Sequence, residues 1–252
     1  MVEQVICNHW VGGSIPFAGS IFLGLTKMKS SSDKYLKLKA IYDDAKLQKL
    51  AHSKVAVIGL GGVGSYCAAA LVRSGIVNLT IADFDVIEES NINRQLFATD
   101  KTIGMKKTEV AKQYLKDINS KVQITSYTDK IDKNNIDACK DQDYVVDAID
   151  DVDAKIAIAK YCQENSIPII SCMGTAMRKD ASKLTFADIY ETSVCPLCKS
   201  FRKQAKDAGI EKLDVLYSTE PAIKSLNGDL GSTSYLPPIA GMMLAGKIIE
   251  SI

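Results

Sequence analysis

The sequence predicts an α/β fold: a Rossmann-like, doubly wound, mostly parallel sheet followed by a smaller C-terminal α+β extension. First, an apolar strand at 54–58 leads through a glycine-rich turn, 59–64, into an Ala-rich helix at 65–74. Second, apolar strands and amphipathic helices alternate as far as residue 171, in the order βαβαβαβαβ. Third, the 252 residues are 46% hydrophobic and 24% charged, as in ordinary globular proteins. The order predicts parallel strands with right-handed crossovers and helices on both faces.

Each further element is predicted from the period of its apolar residues. A helix over 37–50 precedes the first strand, with its apolar face formed by Leu38, Ile41, Tyr42, Ala45 and Leu50. Strands are predicted at 79–82, 122–127, 143–149 and 167–171, and helices at 107–118 and 153–165. From about residue 175 the pattern changes to strands at 184–189 and 214–219 and helices at 196–208 and 238–252. We expect one domain, 28–252, with a nucleotide-binding core at about 54–174 and an extension at about 175–252.

Residues 1–27 have a different composition. The stretch 10–26 is uncharged and rich in Gly and Ser, with Pro16 inside it, and no Lys or Arg precedes it. A signal peptide needs that positive charge, and a membrane span needs about 20 apolar residues. We therefore expect a disordered leader, with Met28 as the natural beginning, and no membrane partner.

The seven cysteines and the net charge of +1 limit the environment and the partners. The cysteines are scattered without the spacing of a disulfide scaffold, so they predict reduced thiols in a cytoplasmic protein. A near-neutral chain has no global field for nucleic acid, so any RNA contact must be a local patch. Lys199, Arg202, Lys203 and Lys206 recur at helical spacing and form such a patch or an ordinary solvated face.

The glycine-rich turn predicts a phosphate site. Gly59, Gly61, Gly62 and Gly64 lie between a strand and a helix, where backbone N–H groups and the helix dipole can face a phosphate. The second strand ends in Asp83-Phe84-Asp85, and an acidic residue about twenty positions after the glycines is placed to bind a ribose hydroxyl. These features are shared by many nucleotide-binding proteins, including NAD-dependent oxidoreductases.

The cluster Ser90-Asn91-Ile92-Asn93-Arg94-Gln95 favours ATP over a nicotinamide cofactor. Its amides supply hydrogen-bond donors and leave Arg94 without a carboxylate nearby in the sequence, which suits bidentate binding of a triphosphate. The chain has two histidines, His9 and His52, and neither is near a motif, so a histidine general base is not expected.

Charged residues at two other predicted element ends point to the same ligand. Lys106 and Lys107 open a helix, where the macrodipole disfavours cations unless an anion is bound there. Asp147 and Asp150 follow a buried strand, where a carboxylate either caps the next helix or holds Mg²⁺ together with substrate phosphates. We expect Asp150 to take the metal role.

Together these motifs resemble the ThiF/MoeB/HesA superfamily, the adenylating relatives of ubiquitin-activating enzymes. From residue 34 to 252 the shared motifs are G-L-G-G-V-G-S, D-F-D, S-N-I-N-R-Q, G-M-K-K-T-E and D-A-I-D-D. Within the superfamily, N-I-N-R-Q, L-Y-S-T-E at 216–220 and the ending G-S-T-S-Y-L-P-P-I-A-G at 231–241 are most similar to the tRNA threonylcarbamoyladenosine dehydratases. The resemblance implies ATP binding at Gly62, Asp83, Asn91, Arg94 and Gln95, a phosphate contact by Lys107 and magnesium at Asp150.

The resemblance also implies the reaction and its partners. The carboxylate of the threonine moiety of N6-threonylcarbamoyladenosine in tRNA is adenylated by ATP, and the carbamoyl group then closes a ring and releases AMP. The alternative is adenylation of a sulfur-carrier protein of the ubiquitin-like type. A homodimer is implied, in which an N-terminal arginine reaches the partner's ATP; this chain has no arginine before Arg73, and Lys37 or Lys39 is the nearest substitute.

Two further motifs are predicted not to form the ligand sites that their patterns suggest. Zinc-binding relatives carry two CxxC pairs, but Cys195-Pro196-Leu197-Cys198 is a single pair with no cysteine after it, so no zinc site is expected. Residues 241–247 match the start of a P-loop, but no strand precedes them and Ile248 replaces the Ser or Thr. We interpret that segment as a packing helix.

Overall fold

The computed structural model describes residues 34–252, and the features below belong to the unit Lys37–Ile252. The strands are β1 (Lys54–Ile58), β2 (Asn78–Ala82), β3 (Gln123–Tyr127), β4 (Tyr144–Asp147), β5 (Ile169–Cys172), β6 (Leu184–Asp188) and β7 (Asp214–Ser218). The α-helices are α1 (Asp44–His52), α2 (Gly64–Arg73), α3 (Lys107–Ile118), α4 (Val152–Glu164), α5 (Pro196–Asp207) and α6 (Leu236–Ser251).

Within the described residues the strands form one sheet in the order β3-β2-β1-β4-β5-β7-β6. All neighbouring strands are parallel except β6 and β7, which are antiparallel at one edge. The apolar runs of β1 and β4 are buried, as expected for central parallel strands covered on both faces. This sheet confirms the predicted fold class. The chain reverses direction across the sheet between β1 and β4, and ligands of such sheets bind at the carboxyl ends of the strands at this point.

The C-terminal segment joins the same sheet and packs behind the glycine turn. β7 pairs with β5, so the sheet continues directly from the nucleotide-binding core into the extension. Helix α6 packs against α2, and a Cβ at Gly241 would collide with the carbonyl oxygen of Val63. The P-loop-like residues 241–247 therefore lie inside a packed helix, which confirms the packing interpretation.

The predicted helix over 37–50 is wrong. Instead of a helix over 37–50, the chain makes a 3-10 turn at Leu38–Ala40 and begins α1 after Asp43, whose side chain accepts a hydrogen bond from the backbone of Lys46 at 2.8 Å. Ile41, assigned to the apolar face, is 75% exposed. An Asp in this position caps a helix rather than continuing one, and here it sets the start.

The connection between β3 and β4 also differs from the predicted alternation of strands and helices. Between β3 and β4 the described chain contains one 3-10 turn, Asp137–Cys139, and no α-helix. The Asp132 side chain accepts hydrogen bonds from the backbone N–H groups of Asn134 and Asn135, at 2.7 and 3.1 Å. Such local side-chain bonds compete with helical hydrogen bonds and favour a turn.

The predicted leader, residues 1–27, lies outside the described residues. Within 34–252, none of the helices has the length and apolar character needed to cross a membrane.

Candidate functional site

A cavity of about 750 Å³ lies at the carboxyl ends of the central strands. Most of the predicted site residues line it: Gly59, Gly61, Gly62, Asp83, Asp85, Asn91, Arg94, Gln95, Lys107 and Asp150. They come from five separate segments, and the sheet topology brings these segments together. The predicted residue that does not line the cavity is Gly64, which is buried at the start of α2.

The four glycines of the turn have two different structural roles. Gly59 has φ +91°, and a Cβ there would lie 2.7 Å from the carbonyl oxygen of Ala148. A Cβ at Gly64 would collide with the carbonyl oxygen of Gly59, so these two glycines allow β1, α2 and the loop after β4 to pack closely. Gly61 and Gly62 line the cavity, as Gly59 does, and their backbone N–H groups at a helix N-terminus can bind a phosphate.

Asp83 is fixed beneath the turn and retains acceptor capacity. Its two carboxylate oxygens accept hydrogen bonds from the backbone N–H groups of Leu60, at 2.7 Å, and Asp85, at 2.9 Å. Burial raises the pKa of the Asp83 carboxyl, and the positive charge of Lys107 opposes that rise. Each carboxylate oxygen has a second lone pair. The side chain can therefore accept a ribose hydroxyl from the cavity.

Lys107 is held by carboxylates at the start of α3. Its Nζ lies 2.7 Å from Asp85 and 3.8 Å from Asp83, and the side chain is 7% exposed. These two aspartates supply the negative charge that a lysine needs at a helix N-terminus, a role predicted from the sequence for a phosphate. The lysine still lines the cavity, so a phosphate contact by Lys107 stays a prediction.

Arg94 is presented to the cavity by a short, well-capped loop. Its Nη1 donates to the carbonyl oxygen of Ser90 at 2.8 Å and to the Asn93 side chain at 2.9 Å. Asn91 is buried and takes part in a reciprocal capping box with Glu88. No carboxylate within the described residues forms an ion pair with Arg94. The guanidinium is oriented by neutral groups, which leaves its charge available for an anion.

The three carboxylates after β4 have separate environments. Asp147 is fully buried and hydrogen bonded, and Asp151 caps α4 by accepting from the backbone of Asp153 and Ala154. Asp150 is exposed to the cavity and makes no hydrogen bond or ion pair with any other described residue. One unpartnered carboxylate beside a phosphate site fits a Mg²⁺ that takes its remaining ligands from substrate oxygens and water.

A buried charge network that the sequence did not predict lies under this loop. Lys155 of α4 has zero exposed surface, and its Nζ donates to Asp147 at 3.0 Å, to Ser171 Oγ at 3.0 Å and to the carbonyl oxygen of Cys172 at 2.8 Å. Asp147 also accepts from Ser171 Oγ and from the backbone N–H of Ile149. The network joins the ends of β4 and β5 and fixes the loop that carries Asp150. Its sequence signal was weak, because Lys155 resembles any helical lysine.

The far end of the cavity was also missed. It is lined by residues that follow β5, including Arg178, and by the start of α5, including Cys195. Arg178 is 4% exposed and donates to the carbonyl oxygens of Gly174, Ala176 and Glu220. The available signal was its position: like Asp83 and Asp150, it follows the carboxyl end of a parallel strand.

We expect purified protein to contain less than one zinc per chain by elemental analysis after dialysis. Cys195 and Cys198 are both buried, and among residues 34–252 no three His, Cys, Asp or Glu side chains are grouped as metal ligands. A structural zinc site needs four such ligands. Stoichiometric zinc that survives dialysis, and is lost in Cys195→Ser, would contradict the prediction.

The sequence of this chain is similar to one family pattern and to several known proteins. The ThiF family pattern matches residues 33–252. The chain is 33% identical over 228 residues to the tRNA threonylcarbamoyladenosine dehydratase of Bacillus subtilis, covering 82% of this chain and 89% of that protein. It is 32% identical over 140 residues to the molybdopterin-synthase adenylyltransferase of Haemophilus influenzae, covering 55% of this chain and 58% of that protein.

A solved structure has the same fold. The E. coli tRNA N6-threonylcarbamoyladenosine dehydratase TcdA, solved in complex with ATP, superposes with a TM-score of 0.81 at 28% sequence identity. The superposition covers 86% of this chain and 94% of TcdA. Since the family pattern spans the whole described region, and the fold and the relatives agree with it, this chain belongs to the ThiF family.

Proposed function

We propose that this protein is an ATP-dependent tRNA threonylcarbamoyladenosine dehydratase. One observation carries the proposal: the sheet brings the glycine turn, Asp83, Arg94 and Asp150 into one cavity, and within residues 34–252 neither Arg94 nor Asp150 forms an ion pair. Likeness to named dehydratases over most of both chains supports this substrate class. The shorter match to an adenylyltransferase of sulfur-carrier chemistry gives the alternative less support.

In this proposal, different residues of the cavity bind different parts of the nucleotide. Gly61 and Gly62 face the phosphates with backbone N–H groups, and Asp83 accepts a ribose hydroxyl. Arg94 and Lys107 supply the positive charge for the triphosphate, with Asn91 and Gln95 shaping the loop beside them. Asp85 holds Lys107 in place until the phosphates arrive.

The proposed chemistry needs positioning and charge neutralisation but no protein nucleophile. The substrate carboxylate attacks the α-phosphorus of ATP and pyrophosphate leaves, which gives an acyl-adenylate. The adjacent carbamoyl group attacks the activated carbonyl, the ring closes and AMP leaves. Arg94 stabilises the charge that develops on the phosphate oxygens during the first step.

Magnesium fits the residues that are present. Asp150 is the carboxylate that would hold it, together with phosphate oxygens and water, and the ion would neutralise charge on the leaving pyrophosphate. The protein's own contribution is to hold Asp150 in the cavity through the buried Lys155 network beneath its loop.

A basic face beside the cavity is the proposed tRNA contact. Lys199, Lys203 and Lys206 are exposed on α5. Arg202 belongs to the same helix, but it is partly buried and donates to the carbonyl and hydroxyl oxygens of Thr192. The patch therefore has three lysines available for phosphates. A homodimer, in which Lys37 or Lys39 reaches the second copy's ATP, stays a prediction of the family resemblance.

We expect incubation with ATP, Mg²⁺ and tRNA to convert threonylcarbamoyladenosine to a product lighter by one water. The measurement is mass spectrometry of the released nucleosides, with AMP and pyrophosphate quantified in the same samples. Omitting ATP is the control. An unchanged nucleoside, with AMP formed only when a sulfur-carrier protein is added, would favour the alternative adenylyltransferase.

A further inference from the structure

Two thiols at the start of α5, Cys195 and Cys198, are not used by the proposed reaction, and Cys195 lines the cavity. We propose that Cys195 and Cys198 form a redox-active dithiol, which a low-molecular-weight disulfide such as oxidised glutathione converts into an intramolecular disulfide. Both cysteines are free thiols in the structure, and Cys195 lines the cavity through which a small oxidant can reach it.

The backbone places the two cysteines next to each other at the start of α5. Cys195 is the N-cap of α5, Pro196 is the first helical residue, and Cys198 follows one turn later. Residues three apart on a helix are neighbours, with Cβ atoms about 5–6 Å apart. A disulfide requires Cβ atoms about 3.5–4.5 Å apart. The first turn must therefore bring the two Cβ atoms closer by about 1–2 Å for the sulfurs to join.

The surroundings of Cys195 are electropositive. Cys195 is the N-cap of α5, so its side chain lies at the positive end of the helix dipole. Arg178 is buried, and its Nη2 has no hydrogen-bond partner among residues 34–252. No carboxylate of the described chain forms an ion pair with it. A buried cation without a counter-charge is costly, and a thiolate at Cys195 would offset that cost.

The two thiols differ in a way that suits sequential attack. The hydrogen bond from Cys198 lowers the pKa of Cys195, with further contributions from backbone N–H groups and from Arg178. The same hydrogen bond and burial raise the pKa of Cys198. Cys195 is thus the attacking thiol, and Cys198 is the thiol that resolves the mixed disulfide.

The exchange balances without another reactant. The Cys195 thiolate attacks one sulfur of oxidised glutathione, the S–S bond breaks and one glutathione leaves as a thiolate. That thiolate takes the proton of Cys198. The Cys198 thiolate then attacks the Cys195 sulfur of the mixed disulfide and expels the second glutathione, which takes up a proton from solvent. Counting the proton that Cys195 gives to solvent when it ionises, the protein loses two electrons and two protons, and one glutathione disulfide becomes two glutathione thiols.

A second buried pair in the same chain provides the internal control. Cys139 and Cys162 are both buried, and the interaction with Cys162, burial and the nearby Asp147 all raise the pKa of Cys139. Cys162 lies within α4, away from its N-terminus. These thiols should stay unreactive while the protein is folded.

The test uses the full chain, reduced and folded, at pH 7. A brief pulse of N-ethylmaleimide should label Cys195 at least about tenfold faster than Cys139. After exposure to oxidised glutathione, the tryptic peptide 184–199, which contains both cysteines, should lose two hydrogens and resist alkylation. Dithiothreitol should restore both thiols.

Near-isosteric variants separate the steps. Cys198→Ser should stop at a glutathione adduct on Cys195, Cys195→Ser should form neither adduct nor disulfide, and Cys139→Ser should behave like the wild type in peptide 184–199. Equal labelling of Cys195 and Cys139 would overturn the proposal. So would oxidation that links Cys195 to Cys172 instead of Cys198. The wild-type peptide measurement decides the matter even where a variant folds poorly.

Discussion

Arg94→Ala is expected to lower ATP-dependent AMP formation by about 10²–10³-fold, equivalent to about 3–4 kcal/mol of transition-state stabilisation. The guanidinium is oriented by Ser90 and Asn93 and has no ion-pair partner among the described residues, so its charge is available for the phosphates. The loss should fall mainly on the chemical step. Initial rates at saturating ATP and tRNA measure it.

The control for this variant is Arg73→Ala. Arg73 is exposed in the last turn of α2 and does not line the cavity, so its removal should leave the rate unchanged. Both variants should keep the wild-type melting temperature within a few degrees, since neither side chain belongs to the buried core. AMP formation by Arg94→Ala within a factor of two of wild type would show that the triphosphate is bound elsewhere.

The second large effect is on stability. Asp147→Leu should cost about 3–5 kcal/mol of unfolding free energy, because it leaves the ammonium of Lys155 buried without a counter-charge. Lys155→Met should have a similar effect through the carboxylate of Asp147. The double variant should recover a substantial part of the loss, since replacing both charges removes the desolvation penalty. Urea denaturation of all four proteins gives the coupling energy.

The matched comparison is an exposed pair with a shorter contact. Lys140 and Asp137 lie 2.6 Å apart, but both side chains are more than half exposed. Lys140→Met should leave the urea midpoint unchanged, because water already solvates both charges. Two outcomes would contradict a strong buried ion pair. Asp147→Leu could lose as little unfolding free energy as Lys140→Met, or the loss in the double variant could equal the sum of the losses in the two single variants.

The sequence could predict the glycine end of the cavity because its parts are contiguous. β1, the turn, α2 and β2 follow one another within thirty residues, so Gly59, Gly64 and Asp83 are placed by local pattern alone. The cluster around Arg94 could be predicted as polar and unpaired for the same reason. Its position over the glycines depends on tertiary contacts, such as that of Gly62 with Pro237.

The features that escaped prediction depend on residues far apart in the chain. The motif D-A-I-D-D, residues 147–151, contains three aspartates whose roles the sequence could not distinguish. The contact with Lys155 shows that Asp147 is the buried carboxylate, and the contacts with the backbone of α4 show that Asp151 is the helix cap. Arg178 is similar, because its partners include the carbonyl oxygen of Glu220, forty-two residues later. The helix expected before β1 was misplaced because one capping residue, Asp43, outweighed a modest apolar period.

The close packing of Gly241 against Val63 has a consequence for the order of folding during synthesis. These residues are separated by 178 positions, yet α6 touches the backbone of the glycine turn itself. A nascent chain that has emerged only as far as β5 carries every strand beside the turn but lacks the helix behind α2. Closing so long a loop is entropically costly, so this contact forms late. Nucleotide should therefore bind tightly only after α6 has packed behind α2.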